Sequence, residues 1–336
     1  MTIITIFTSR KNFYMFYKLR SLLNPEIFQG KEKKKSYFEG WYFKIVDTTE
    51  NHAFAIIPGI AFDPAGNGHA FIQLLDGKNK KSYYNTYDSS EFSADDKKFN
   101  IKIGNNCFSE YHLTVRLDNF EADLVFDNNI PWPKPFYSPG IMGPFSFFPF
   151  MECYHGIVSL NHNITGRISY NGVDIDFTKG KGYMEKDWGS SFPSAYVWMH
   201  SNHFERENIS FKCSVAKIPF LTTSFVGFIA GLWLDGELIR FTTYNGCSLS
   251  KCRISQKQVN IVLQHKDYTL EVEVDRNEAT ELASPIIGFM TGRIEETMTS
   301  IISLKLIKKN GSREVMYLHG RNSCLEVAGA IDEIIK

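Results

Sequence analysis

The chain has no excess of charge of either sign, because its 37 basic residues balance its 37 acidic residues. Nucleic acids are bound by basic surfaces that attract phosphates, so no nucleic-acid partner is expected. The six cysteines are scattered and form no CxxC pair. This pattern favours reduced, mostly buried thiols and a cytoplasmic location over a disulfide framework.

Long apolar runs are also missing. No stretch approaches the roughly 20 apolar residues that span a bilayer, so no transmembrane segment is expected. The opening residues, MTIITIFTSRKN, are too short and too polar to predict a signal peptide. The sequence has no GxSxG, GxxxxGKS/T or HExxH motif and no GxGxxG after a strand, so nucleotide-dependent and serine-hydrolase chemistry have no support.

The sequence is rich in aromatic residues and in the alternating patterns typical of strands. Aromatics make up 15% of the chain, with 28 Phe and 16 Tyr, and they favour strands and line apolar pockets. Alternating apolar segments flank Asn171-Gly172, Asp235-Gly236 and Asn310-Gly311, which predict hairpins because these residues accept positive φ angles. We therefore predict an all-β chain with two antiparallel barrel-like halves, at 37–190 and 191–336.

Three segments depart from the strand pattern. Asn12–Leu23 predicts a short helix that Asn24-Pro25 ends, and residues 1–36 comprise this helix and a linker. The run KEKKK at 31–35 indicates either a solvated linker or a contact with an anionic membrane surface. Asn128–Pro149 holds six prolines, which exclude a helix or a central strand and predict a covering loop.

Two strand segments combine aromatic residues with an acid or a histidine. In an extended Tyr37–Lys44, Glu39 shares a face with Trp41. A carboxyl among aromatic rings must be paired or have a raised pKa, so Glu39 is either a salt-bridge partner at a barrel end or a functional acid. His155 directly follows the Pro-rich loop, where a lid would meet a site. The alternative for His155 is a hydrogen-bonded core residue.

A third segment, KGYMEKDWGSSFPSAYVWMHSNHF at 181–204, is the richest in polar groups. Alternation places Glu185 and Asp187 on one face of a strand, with backbones roughly 6.5–7 Å apart. Two dry carboxyls at this spacing raise each other's proton affinity, which is one way to make a general acid at neutral pH. The alternative is a polar barrel rim in which Lys186 pairs with them.

The same segment continues as a second strand in which Trp198, His200 and Asn202 share a face. His203 lies on the opposite face, so the two histidine rings point apart. No third ligand follows at a metal-binding spacing, and no metal site is expected.

At these residues the sequence closely resembles the tocopherol cyclase family. The matching stretches are YFEGWYFK (37–44), PGIMGPFSFFPFMECYHGIVS (139–159), GYMEKDWGSSFP (182–193), VWMHSNHF (197–204), GRIEET (292–297) and CLEVAGA (324–330). They follow the family's order from about Asn24 to Ala330, nearly the whole chain. The first 20 or so residues lie outside the resemblance, and no plastid transit peptide is apparent.

The resemblance implies two lipocalin-like antiparallel barrels and a cyclase that needs no cofactor. Tocopherol cyclases convert prenylated hydroquinones to chromanols: a proton adds to the alkene, and the phenol oxygen closes on the tertiary carbon. Such a reaction requires a general acid in a dry site and aromatic faces near the developing cation. The implied partner is an apolar small molecule, a prenylated quinol or related isoprenoid, with peripheral membrane contact as an open alternative.

The candidate site residues follow from this chemistry. The acid and base candidates are Glu39, His155, Glu185, Asp187 and His200. We expect Glu185 or Asp187 to donate the proton, and His155 or His200 to take or orient the phenol proton. The candidate substrate-binding residues are Trp41, Glu152, Tyr154, Trp188, Trp198 and Asn202. The alternative function is a lipocalin-like carrier of an isoprenoid or other lipid without catalysis, since fold alone does not determine activity.

Overall fold

The computed structural model describes residues 16–309 and 314–336, in which antiparallel strands form two sheets. The first sheet consists of β1 (Tyr37–Val46), β2 (Ala53–Phe62), β3 (Gly68–Asp76), β4 (Lys81–Asp88), β5 (Phe92–Ala94), β6 (Asn100–Ile103), β7 (Asn106–Ser109), β8 (His112–Leu117), β9 (Phe120–Asp127), β10 (Cys153–Tyr170), β11 (Val173–Asp176) and β12 (Gly180–Gly189). The second consists of β13 (Ala195–Ser201), β14 (His203–Phe204), β15 (Ile209–Phe220), β16 (Thr223–Leu234), β17 (Glu237–Thr242), β18 (Ser248–Ile254), β19 (Gln258–Gln264), β20 (Tyr268–Asp275), β21 (Thr280–Ile286), β22 (Phe289–Lys308) and β23 (Val315–Gly329).

Each sheet curls around its own apolar core. In the first barrel the path of paired strands runs β4-β3-β2-β1-β12-β10-β9-β8-β7-β6-β5, and Trp41 and Phe43 of β1 pack inside it with Phe108 of β7 and Phe126 of β9. In the second, residues from β13 to β23 form one buried cluster. The two lipocalin-like antiparallel barrels are confirmed, and apolar side chains fill both interiors.

The turns have the predicted chemistry where the structure describes them. Asn171 and Gly172 join β10 to β11 with φ angles of 52° and 78°, and Asp235 and Gly236 join β16 to β17 with 50° and 97°. Positive φ at both positions is what a type I′ hairpin turn requires. The turn predicted at 310–311 lies outside the described residues, although β22 and β23, which flank it, pair as expected.

The N-terminal segment is helical over residues 16–23. The predicted helix began at Asn12, and its first residues lie outside the described part of the chain. Within that part, no helix is both long enough and apolar enough to cross a membrane.

The Pro-rich segment is a covering loop, as predicted, although it contains one short 3-10 helix, Gly143–Phe147, which the prediction had excluded. It leaves the first barrel after β9, contacts the second barrel and returns to β10. The Tyr244 hydroxyl donates a hydrogen bond to the Ile141 carbonyl oxygen at 2.6 Å, and the Phe145 ring stacks on Phe225 with centroids 5.7 Å apart. Trp132, within the loop, is buried. These contacts attach the loop to the second barrel, and the Leu160 N–H, which donates to the Ile130 carbonyl oxygen at 2.7 Å, attaches it to β10 of the first.

A buried ion pair closes one end of the first barrel. Lys186 Nζ lies 2.5 Å from Glu39 Oε1, and neither side chain is exposed. The Lys186 ammonium also donates to the Pro25 carbonyl oxygen at 2.9 Å, and the backbone N–H groups of Gln29 and Gly30 donate to the Glu39 carboxylate at 2.8 and 2.9 Å. These hydrogen bonds hold residues 25–30, which follow the helix, across one end of the first barrel. Lys186 therefore pairs with Glu39 and not with the carboxylates on the opposite face of β12.

This ion pair gives a stability prediction. Glu39→Gln leaves the Lys186 ammonium buried without its counter-charge, which typically costs about 3–5 kcal/mol of unfolding free energy. Urea denaturation should show this loss, whereas Glu278→Gln, which removes the exposed partner of Lys80, should cost about 0–1 kcal/mol. Equal losses in the two variants would contradict a structural role for the Glu39–Lys186 pair.

Candidate active site

An apolar cavity of about 180 Å³ lies between the two barrels, outside both filled interiors. A single water needs only about 10–15 Å³, so the cavity has room for an organic molecule. Its walls come from the outer faces of β1, β10 and β12 on one side and of β13, β15, β16 and β23 on the other. Met142 and Phe145 of the Pro-rich loop, and Leu282 of β21 and Ile294 of β22, also line it.

Strand register brings the polar groups of the first barrel together. Asp187 of β12 lies directly between Gly40 of β1 and His155 of β10. Glu185 lies two residues earlier on the same face of β12, beside Tyr42 of β1. Because Gly40 has no side chain, the space beside Asp187 stays open to the cavity.

His155 lies between the two carboxyl groups. Its Nδ1 is 2.7 Å from Asp187 Oδ1, and its Nε2 is 3.5 Å from Glu185 Oε2. The two contacts use opposite nitrogens of one ring. Only the Nδ1 contact is a hydrogen bond, and the buried Nε2 has no hydrogen-bond partner among the described residues.

The Glu185 carboxyl receives two further hydrogen bonds on the same oxygen. The Tyr183 hydroxyl donates to Oε2, and Trp198 Nε1 of the second barrel donates to it at 3.0 Å. Donors directed at one carboxylate oxygen stabilise its ionised form. Trp198 also connects the barrels, since its indole reaches from β13 to β12.

Burial shifts the proton affinities of this cluster. It raises the pKa of Asp187 to about 7 and also raises the pKa of Glu185. It lowers the pKa of His155 to about 3, an effect that the positive charge of Lys212 reinforces. Each shift favours the uncharged form, because an apolar site penalises charge. Asp187 therefore keeps its proton to a higher pH than an ordinary aspartate, beside an imidazole that stays neutral.

A buried cation lies behind the acids. Lys212 of β15 is fully buried and donates a hydrogen bond to Ser214 Oγ at 2.6 Å. Burial lowers the pKa of Lys212, while the charges of Glu185 and Asp187 act to raise it. The positive charge of Lys212 thus favours ionisation of the two carboxyls, against the effect of their burial.

The same three side chains have the residue types of a metal site. One donor atom each from His155, Glu185 and Asp187 lies within 4.8 Å of the others. A single ion could use only one nitrogen of a ring whose two nitrogens face different carboxyls. The arrangement therefore fits proton transfer better than metal binding.

Four of the predicted site residues line the cavity: Glu185, Asp187, His155 and Trp198. Two others point into the first barrel instead. Glu39 is held by Lys186, and Trp41 stacks on Phe99 with ring centroids 5.6 Å apart. Neither contacts the cavity described above, because Glu39 and Trp41 lie on the inward face of β1.

The remaining predicted residues do not line the cavity. Tyr154 and Trp188 stack on each other with centroids 5.4 Å apart. The Glu152 carbonyl oxygen accepts from the Ser190 N–H at 2.8 Å, at the turn after β12. His200 is fully buried against the Tyr183 ring, with centroids 3.7 Å apart, and Asn202 donates to the Gly182 carbonyl oxygen at 2.9 Å.

Sequence reasoning missed several polar residues of the site. Tyr196 and Glu326 line the cavity, and the Tyr196 hydroxyl donates to Glu326 Oε2 at 2.8 Å. Tyr42 also lines it and donates to Glu296 Oε1 of the other barrel. Tyr196 could have been found from its face, which it shares with Trp198. Glu296 and Glu326 lie within the GRIEET and CLEVAGA stretches, but nothing in the sequence indicated that they meet.

Comparison with known proteins agrees with the geometry. Residues 128–329 match the family model described as tocopherol cyclase-like. The chain is 26% identical over 192 residues to the chloroplastic tocopherol cyclase of Zea mays. That alignment covers 54% of this chain and 40% of the maize protein, so the chain spans about two fifths of the length of this curated relative.

Solved structures share the fold at low identity. An AttH-type protein of Nitrosomonas europaea superimposes with a TM-score of 0.53 at 15% identity, covering 88% of this chain and 93% of that one. CghA, crystallised with Sch210972, gives a TM-score of 0.54 at 9% identity, covering 87% and 89%. These structures support the double-barrel fold, and the family match extends over more than half of the sequence. The chain belongs to the tocopherol cyclase-like family.

Proposed function

We propose that the protein is a cofactor-independent cyclase that converts a prenylated hydroquinone, or a related apolar isoprenoid, into a chromanol. The observation that carries this proposal is the Asp187–His155–Glu185 cluster in the wall of an apolar cavity. Adding a proton to an alkene requires an acid that stays protonated near neutral pH and a site that excludes water. Family membership supports the same reaction class.

Asp187 is the proposed proton donor. Glu185 receives hydrogen bonds from Tyr183 and Trp198 on one oxygen, so it is the better-stabilised carboxylate of the pair. Asp187 is the more open to the cavity, with 22% of its side chain exposed against 5% for Glu185. His155 Nδ1 holds the Asp187 carboxyl by a hydrogen bond at 2.7 Å, and Asp187 regains a proton from solvent after the product leaves.

The proposed reaction is an isomerisation. The Asp187 proton adds to the less substituted alkene carbon, and the alkene π electrons form the new C–H bond. The phenol oxygen then bonds to the tertiary carbon as its own O–H bond breaks. The rings of Tyr42 and Trp198, with centroids 5.5 Å apart, offer aromatic faces to the developing positive charge. No electron is gained or lost, so the reaction needs no redox partner.

Substitution of the acid provides the test. Asp187→Asn should lower chromanol formation from a prenylated methylhydroquinone by about a hundredfold to ten-thousandfold, the usual contribution of a general acid. Binding of the quinol, followed by tryptophan fluorescence, should remain. The control is Asp174→Asn, which alters an exposed acid on β11.

Turnover by Asp187→Asn at the wild-type rate would contradict the assignment of the donor. A wild-type protein that binds prenylated quinols tightly but forms no chromanol would favour the carrier function. That alternative is supported by the mostly apolar lining of the cavity, which would retain a lipid without reacting with it.

We further propose that the cavity receives its substrate from a membrane surface. Apolar side chains are exposed beside the lining residues Phe145 and Phe225: Phe150 is 47% exposed and Leu221 is 76% exposed. Residues 135–151 and 218–230, which contain these side chains, carry no charged residue. An apolar rim around an apolar cavity is typical of proteins that take ligands from lipid.

The unpaired state of all six cysteines supports a reducing, cytoplasmic location.

Vesicle binding tests the membrane proposal. The double variant Phe150→Ser/Leu221→Ser should bind phospholipid vesicles about tenfold or more weakly in a sedimentation assay, because two inserting apolar groups are lost. Val173→Ser, at an exposed apolar position on β11, is the matched control. Unchanged vesicle binding by the double variant, or an equal loss in the control, would contradict the proposed contact surface.

A further inference from the structure

The turn between β21 and β22 departs from the residue preferences of its own turn type. Ile287 and Gly288 join the two strands with φ angles of 48° and 84°. Positive φ at both positions is typical of a type I′ turn, whose first position favours Asn or Asp. The turns at 171–172 and 235–236 follow this preference. A β-branched residue is strained in the left-handed region, so Ile287 occupies a position at which a polar residue would be more stable.

The strained residue is also exposed and apolar. Ile286 and Ile287 have exposed fractions of 52% and 55%, whereas Pro285 and Met290, on the two arms of the same hairpin, line the cavity. Departures from local sequence rules concentrate at functional positions. The hairpin tip thus presents two isoleucine side chains to the surroundings at one edge of the cavity.

Hydrogen bonds join the hairpin tip to the segment that follows the Pro-rich loop. The Ile287 N–H donates to Ser191 Oγ at 2.9 Å. The N–H of the preceding residue, Ser190, donates to the Glu152 carbonyl oxygen at 2.8 Å. Glu152 follows the exposed Phe150 by two residues. The tip and the apolar rim proposed above as a membrane contact therefore adjoin through the turn after β12.

A run of lysines lies next to the same tip. A Cβ atom at Gly288 would come within 2.0 Å of the Tyr37 backbone nitrogen, so the tip packs directly against the chain that follows residues 31–35. Four of these five residues are lysines and one is a glutamate. The first lysine pairs with Asp96. The lysines at 33–35 are exposed and have no ion-pair partner in the part of the chain that the structure describes.

An apolar tip beside unpaired cations is complementary to the surface of an anionic bilayer. Apolar side chains insert at the boundary between head groups and acyl chains, and nearby lysines attract anionic head groups. The chain as a whole has no net charge, so this attraction acts locally, at the lysine run, and favours one orientation of the molecule on the lipid. An isoprenoid substrate partitions into the same bilayer.

We propose that the lysines at 33–35 and the isoleucines at 286–287 form a docking surface for anionic phospholipid, which we call the lysine–isoleucine surface. It holds the edge of the cavity against the bilayer from which the substrate enters. This inference rests on the uptake of substrate from a membrane proposed above. It extends that proposal, because it names the class of lipid and adds a contact separate from Phe150 and Leu221.

Vesicle composition tests the lysines. Wild-type protein should bind vesicles of phosphatidylcholine with added phosphatidylserine about tenfold to a hundredfold more tightly than vesicles of phosphatidylcholine alone, since three lysines contribute. Lys33→Gln/Lys34→Gln/Lys35→Gln should lose most of this preference in a sedimentation assay. About 1 M salt, where the Debye length is about 3 Å, should abolish it in the wild type.

A matched control removes the same charge elsewhere. Lys257→Gln/Lys266→Gln/Lys309→Gln alters three exposed lysines at the ends of strands of the second barrel. Two of them flank β19, and no residue of β18, β19 or β20 lines the cavity. This variant should keep the wild-type preference for phosphatidylserine.

Ile287→Asn tests the tip and separates binding from folding. Asn favours the left-handed region at this turn position, so the variant should unfold at the wild-type temperature or above it. Its binding to both kinds of vesicle should fall by about fivefold or more, because an inserting apolar group is lost. Val173→Asn, at an exposed apolar position beside the type I′ turn at 171–172, should bind as wild type does.

Several results would overturn the lysine–isoleucine surface. Equal binding of wild-type protein to the two kinds of vesicle, or an equal loss in the control lysine variant, would refute the role of the lysines. Wild-type vesicle binding by a folded Ile287→Asn would exclude the tip from the contact. A dimer in lipid-free solution that Ile287→Asn dissociates, measured by light scattering, would assign the tip to a contact between two copies of the chain.

The measurements also distinguish this inference from the proposals on which it rests. If only Phe150→Ser/Leu221→Ser weakens vesicle binding, uptake from a membrane stands and the lysine–isoleucine surface is refuted. No binding of wild-type protein to either kind of vesicle would refute both. Vesicle binding is measured without turnover, so a protein that prefers phosphatidylserine but forms no chromanol would contradict only the cyclase function.

Discussion

The buried ion pair between Lys186 and Glu39 is the contact on which the geometry of the site depends. It seats Lys186 at the end of the first barrel, where the ammonium also binds the chain at Pro25. Alternate residues of a strand point to opposite faces, and a slip of one residue would reverse every side chain. With Lys186 directed inward, Glu185 and Asp187 must point outward, into the seam between the barrels. Strand β12 thus places Lys186, which stabilises the barrel, on its inner face, and Glu185 and Asp187, which belong to the candidate site, on its outer face.

The seam itself is an unusual environment for charge. Four carboxyl groups, Glu185, Asp187, Glu296 and Glu326, meet there with two buried lysines. Tyrosine and tryptophan donors cross from each barrel to a carboxyl of the other. Apolar surroundings oppose ionisation, and burial raises the pKa of all four carboxyls. The loss of hydration that makes these carboxyl groups costly to bury also raises their pKa, and this suits them to proton transfer.

Much of this arrangement could be predicted from alternation and turn chemistry. The pairing of Glu185 with Asp187 on one face, the hairpins at 171–172 and 235–236, and the covering Pro-rich loop all follow from local patterns. Pairing across the structure could not be predicted in this way. Trp41 was expected to contact substrate, but it packs in a filled barrel, and Asn202 shares a face with Trp198 yet is used in a backbone hydrogen bond. Glu296 and Glu326 are 30 positions apart in the sequence, and only strand register brings them together.

Placement of the reaction between the barrels, and not inside either one, is the central claim, and a crystal structure of Asp187→Asn with a bound prenylated hydroquinone tests it most directly. We expect the quinol in the cavity between the barrels, beside residue 187, with its prenyl chain along the apolar wall beneath the Pro-rich loop. Electron density for the quinol inside either barrel, or between the barrels but remote from residue 187, would contradict this placement.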